Sequence, residues 1–121
     1  MATLRTPQTE KKYQEKKQDP ATRTRVFNPE AEEVLREFNY WFLIPNKFPY
    51  DLIAEKHHML IPKRVFGELG EANEAELAEL AEIKRELGPE YHYIIETTSA
   101  RRSIGAHLHL HFILIKENLS L

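Results

Sequence analysis

The chain has 121 residues, enough for one domain with one core and too few for two. Its 41% hydrophobic and 30% charged residues are ordinary for a globular protein, and a net charge of −2 gives no global electrostatic reason to bind nucleic acid or an acidic membrane. The absence of cysteine excludes disulfides, thiolate zinc sites and cysteine nucleophiles, and with no apolar run near the ~20 residues of a bilayer span and no apolar leader after Met1, the expected compartment is the cytoplasm.

Residues 1–25 are polar and rich in Lys, Arg, Gln and Thr, with Tyr13 the only aromatic. Thr9 to Lys17 allows a short helix with a thin apolar face, so the segment reads as a weakly attached arm, either disordered or docked on the domain or on a partner chain, with a basic phosphate-binding arm as the functional alternative. The folded domain is expected to occupy residues 26–121. Asn28-Pro29 suits a helix start, and Ala31, Val34, Leu35 and Phe38 follow one helical stripe, which predicts a short amphipathic helix. Tyr40 to Ile44 is an aromatic and branched run that predicts a buried strand, ended by Pro45 and Asn46. A second strand is predicted at His57 to Ile61, closed by Pro62.

Asn73 opens the clearest helix, with Glu76 spaced for a capping box. Leu77, Leu80, Ala81, Lys84 and Leu87 are expected on its packed face, and Gly88-Pro89 stops it. Tyr91 to Glu96 and His107 to Ile115 read as two further strands. Helices alternating with antiparallel-capable strands make the expected class α+β: one domain, a mostly antiparallel sheet and two main helices.

The chemistry is concentrated in the last strand. Side chains alternate along a strand, so His107, His109, His111, Ile113 and Ile115 share one face and Leu108, Leu110, Phe112 and Leu114 the other. The second set is wholly apolar and suits a core. Three half-exposed histidines on an ordinary strand are the bland reading, but a row of imidazoles repels once protonated. A metal site competes. Zinc needs ring nitrogens about 2.0–2.1 Å from one point. His107 and His111 lie four strand rises apart, roughly 13 Å. A single ion could take two of them plus His57 or His58, but not readily all three. An elongated anion fits the row better, since one imidazole can attack phosphorus while a neighbour gives a proton to the leaving group.

His107-Leu-His109-Leu-His111-Phe-Ile resembles the signature of the histidine triad (HIT) family, in which three histidines alternate with apolar residues. Asn46-Lys-Phe-Pro-Tyr50, then His57-His-Met-Leu-Ile-Pro62-Lys63-Arg64, resembles the upstream part of the same family, so the likeness runs from about Tyr40 to Ile115. The resemblance implies a HIT-like fold and a nucleotide hydrolase or nucleotidyl transferase acting at the α-phosphorus through a nucleotidyl-histidine intermediate. Dinucleoside polyphosphates or nucleoside phosphoramidates are the implied substrates. It implies His109 as nucleophile, His111 facing the phosphate, His107 supporting the arrangement and His57 orienting the nucleophile. Asn46 matches a ribose-contacting position, although a turn residue after Pro45 is an equal reading. No cofactor and no catalytic metal are implied, and a homodimer is. Binding without turnover and a His-ligated metal protein are the alternatives.

One departure is visible before the triad. Family members commonly carry Gly-Gln-Ser/Thr there, whereas this chain has Arg102-Ser103-Ile104-Gly105-Ala106, with Ile104 at the hydroxyl position. Arg101, Arg102 and Ser103 are candidate phosphate contacts instead, against the reading of a solvated basic loop. The spacing from Asn46 to His57 also looks longer than usual.

Overall fold

The computed structural model of the protein describes residues 3–23, 26–98 and 107–117. Arg101, Arg102 and Ser103 lie outside the described residues. Five strands, β1 (Arg36–Glu37), β2 (Trp41–Pro45), β3 (Ala54–Pro62), β4 (Tyr93–Ile95) and β5 (Leu110–Ile115), form one antiparallel sheet in the order β1-β2-β3-β5-β4. With α1 (Pro7–Lys17), the short α2 (Pro20–Arg23) and α3 (Glu74–Leu87), the architecture is α+β. No helix among the described residues is long and apolar enough to cross a membrane.

The two sheet faces are built for different purposes. Trp41, Leu43, Leu60, Leu108, Leu110 and Phe112 pack with Leu80, Ile83 and Leu87 of α3 as the main core. On the opposite face Phe42, Ile44 and Ile61 form a smaller cluster with Phe27, Val34 and Met59 packed against it. The register sets Met59 opposite His111 and Leu60 opposite Leu110, so the alternation expected for the histidine strand places its leucines in the core.

Helix α3 begins as its sequence predicts. Asn73 Oδ1 accepts from the Glu76 amide at 2.9 Å, and Glu76 Oε1 accepts from the Asn73 amide at 2.8 Å. Its packed face is rotated from the expected one: Glu76, Leu80, Ile83 and Leu87 are buried, while Leu77 is 43% exposed. The cause lies at Glu76. Its carboxylate takes Arg64 Nη2 at 2.8 Å and its carbonyl takes the Trp41 indole N–H at 3.0 Å, fixing that side of the helix inward.

The helix predicted from Asn28 to Phe38 does not form. Asn28 nucleates one turn, its carbonyl accepting from Ala31 and Glu32 and its side chain from Glu30. The chain then joins the sheet: the Leu35 amide donates to Leu43 and the Phe38 amide to Trp41, each at 2.8 Å. A helix this short is marginal in water, and the edge of β2 offers the same amides a cooperative ladder. Val34 and Phe38 pack against the clusters on opposite sheet faces, a split that no helical stripe would allow. The second main helix is α1 instead. Strands β4 and β5 are also shorter than predicted. His107 to His109 precede the β5 ladder, and the Leu108 amide donates to Phe66 instead.

The arm is docked on the domain. Thr6 caps α1 and Pro7 occupies its first turn. The Thr6 amide donates to Asp51 Oδ1 at 2.8 Å, both Thr6 and Thr9 hydroxyls donate to Asp51 Oδ2, and the Leu52 amide donates to Leu4. Tyr13 is buried, with its ring 5.6 Å from that of Phe48. The thin apolar face is thus replaced by one aromatic anchor and one carboxylate clamp.

Candidate active site

A cleft of about 680 Å³ opens on the sheet face opposite α3 and is lined by His107, His109 and His111. His107 supports the row from behind: its Nε2–H donates to the Pro62 carbonyl at 2.7 Å, and its Nδ1 accepts from the Phe27 amide at 3.3 Å. Both nitrogens are engaged in one tautomer, and burial lowers the pKa, so the ring is neutral. His109 donates its Nδ1–H to the His107 carbonyl at 3.2 Å, so in the neutral ring the lone pair is on Nε2. The rings of His109 and His111 meet edge to face with centroids 5.0 Å apart.

His57 and His111 form a buried pair. The Tyr50 amide donates to His57 Nδ1 at 2.9 Å, so the His57 proton resides on Nε2. That Nε2–H points at His111 Nδ1, 2.8 Å away. His111 accepts there and therefore carries its own proton on Nε2. Asn46 Nδ2 lies 3.2 Å from the same His57 nitrogen, but a ring N–H cannot also accept, so the shorter contact is the hydrogen bond. Asn46 Oδ1 meanwhile accepts from the Phe48 amide at 2.8 Å, so the residue shapes the turn and lines the cleft at once. His58 turns to the other side of the sheet, with Nδ1 2.6 Å from the Tyr91 hydroxyl.

Burial is the main force on the charge of this pair. It lowers His57 to about 3, with the Arg5 charge next in weight, and His111 to about 2, with His109 next. Both rings are neutral at pH 7. Tyr50 stacks on His111 at 5.1 Å and lies 4.4 Å from His57, centroid to centroid. Its hydroxyl pKa is raised, chiefly by burial.

Three contributors escaped the sequence reading. Tyr50 supplies an amide and a stacking face, Phe27 supplies the amide that orients His107, and Arg5 lines the cleft from the arm. An aromatic loop residue between Asn46 and His57 was a signal for the first. Arg5 and Phe27 lie 106 and 80 residues from His111 and His107; the basic composition of the arm pointed to a phosphate-binding segment without singling out Arg5, and no local pattern marks Phe27. His57 and His111 bond to one another, and no group of three His, Asp or Glu side chains among the described residues is disposed to hold a metal ion.

No protein-family model matches the chain, and no curated protein matches it. Among solved structures it is similar to a histidine triad protein from Clostridium difficile, at 19% identity over 74% of this chain and 84% of that one, with a TM-score of 0.49.

Proposed function

We propose that the protein is a HIT-type nucleotide hydrolase or nucleotidyl transferase, with His109 as its nucleophile. The observation that carries this reading is the proton arrangement of the row. The His107 carbonyl takes the His109 Nδ1 proton and so directs the lone pair to Nε2 in the cleft. In the proposed reaction Nε2 attacks the α-phosphorus of a nucleotide. The new N–P bond forms as the bond to the leaving group breaks and its electron pair departs with that group; a polyphosphate leaves as an anion, and an amine takes up a proton from solvent as it departs. Water, or another acceptor, then displaces the nucleotide from Nε2.

His111 serves as a neutral hydrogen-bond donor to a phosphoryl oxygen through Nε2, held in that tautomer by His57. His57 in turn is held by the Tyr50 amide. His107 and His57 are positioning residues, and Asn46 contributes to the wall where a ribose would lie. Arg101, Arg102 and Ser103 remain proposed phosphate contacts on the strength of the sequence alone. A homodimer in the cytoplasm, using no dissociable cofactor, completes the reading.

The test is product analysis with purified wild type and His109→Ala on a panel of dinucleoside polyphosphates and nucleoside phosphoramidates. Wild type is expected to release a nucleoside monophosphate from at least one of them, and the variant to release none above background. Nucleotide binding by wild type without any release across the panel would replace the enzyme with a binding module.

A further inference from the structure

The cleft has a polarity along the histidine row. His107 lies at one end, where its Nδ1 meets the Phe27 amide, and Ile61, Met59 and Ile44 line the cleft beside the row, with Met59 directly opposite His111. His111 lies toward the other end, where Tyr50 stacks on it. Beyond Tyr50 stands Arg5: its guanidinium carbon is 4.9 Å from the Tyr50 ring centroid and 3.9 Å from that of Tyr13. Two short steps through one aromatic ring therefore link the arginine to the catalytic row.

Arg5 is held firmly there. Nε donates to the Phe48 carbonyl at 2.7 Å, Nη1 lies 3.4 Å from Glu10 Oε1, and the side chain is only 13% exposed. Two aromatic faces and two polar partners fix the plane of the guanidinium, which is the preorganisation that phosphate recognition by arginine requires. The arm also brings Lys16 to the cleft wall, while Lys47 lines it from the loop after β2. Against these three cations stand two carboxylates, Glu32 in the lining, 3.8 Å from Lys47, and Glu10 beside Arg5, which leaves one positive charge in excess in a chain whose net charge is −2. This local excess of positive charge, built largely by a segment outside the sheet, suits an extended anion.

We propose that the docked N-terminal arm completes the active site and that Arg5 binds the phosphate groups beyond the one attacked by His109. The inference rests on the His109 reading and adds an orientation to it. The α-phosphorus lies at His109, and the outgoing phosphates run past His111 and Tyr50 to Arg5. A leaving group held there departs as an anion paired with the guanidinium, so it needs no proton from the neutral rings around it. Arg5 thereby selects anionic leaving groups over neutral amines.

The experiment uses the full chain. Inorganic tripolyphosphate is titrated into wild type, Arg5→Gln and Arg5→Lys by calorimetry. In parallel, kcat/KM is compared between a dinucleoside tetraphosphate and a nucleoside phosphoramidate. Loss of a charge-assisted contact predicts at least about tenfold weaker tripolyphosphate binding in Arg5→Gln. The ratio of the two kcat/KM values should shift by a similar factor against the polyphosphate, and Arg5→Lys should recover most of both. Unchanged tripolyphosphate affinity in Arg5→Gln overturns the assignment. So does an equal loss in the glutamine and lysine variants, or an equal loss on both substrates, which would mark Arg5 as packing only. Arg5-dependent tripolyphosphate binding without His109-dependent turnover would uphold the anion site and overturn the reaction.

Discussion

At the scale of single residues, the site works by fixing where protons sit. Each ring nitrogen of His107 and His57 is engaged by a partner, so neither can rotate or exchange tautomer without breaking a buried hydrogen bond. Removing His57 leaves His111 Nδ1 without its donor. His57→Ala is therefore expected to lower kcat by roughly ten- to a hundredfold, the weight of one buried hydrogen bond, with a smaller change in KM; steady-state kinetics on the best substrate of the panel checks it. The depressed pKa values also make a statement about stability. An unfolded histidine takes a proton near pH 6.5, whereas folded His57 and His111 resist it down to about 3 and about 2. Between those limits the unfolded state binds more protons, so stability is intact above pH 6.5 and falls as the pH drops. Each ring costs on the order of 2 kcal/mol by pH 5. Denaturant melts at pH 7 and pH 5 should show this loss, and His111→Gln should remove about half of it. A pH-independent midpoint in wild type would mean that these rings are solvated.

At the scale of elements, alternation on β5 carries function on one face and folding on the other. Leu110 is 2% exposed within the main core, so Leu110→Asp buries a charge and is expected to unfold the domain, as read by loss of a cooperative thermal transition. A folded variant with normal melting would refute the assignment of faces. Helix α1 depends on Asp51 rather than on an apolar stripe. Asp51→Ala removes the acceptor of three hydrogen bonds from Thr6 and Thr9. Faster amide hydrogen exchange confined to residues 7–17 is the expected result, and unchanged protection there would show that Tyr13 alone holds the helix.

These elements also show how far a sequence can be read. The row of histidines, the apolar face behind it, the capping box at Asn73 and the stop at Gly88 are local patterns, each expressed within one strand or one turn, and all are realised. The segment from Asn28 to Phe38 has an equally good local pattern and still fails as a helix, because β2 competes for its amides. The face of α3 turns by one position because Arg64 and Trp41 bind Glu76 from elsewhere in the chain. Errors arose where a distant partner outbid a local preference.

At the scale of the molecule, the cleft joins segments that are far apart in the chain: the arm at Arg5, the turn at Phe27, the loop from Asn46 to Tyr50, Met59 and Ile61 of β3, and the histidine row from His107 to His111. The histidine row that lines the cleft was legible from its spacing. Its supporting groups were not, since Tyr50, Phe27 and Arg5 act through a backbone amide, a second backbone amide and a docked arm.

The central claim is that His109 becomes covalently attached to a nucleotide. Its most direct test is the intact mass of the protein a few milliseconds after mixing with each nucleotide of the panel and quenching, with His109→Ala alongside. The account predicts a mass increase of one nucleotidyl group in wild type, none in the variant, and loss of turnover in the variant. Abundant product with no adduct, formed equally fast by His109→Ala, would contradict it.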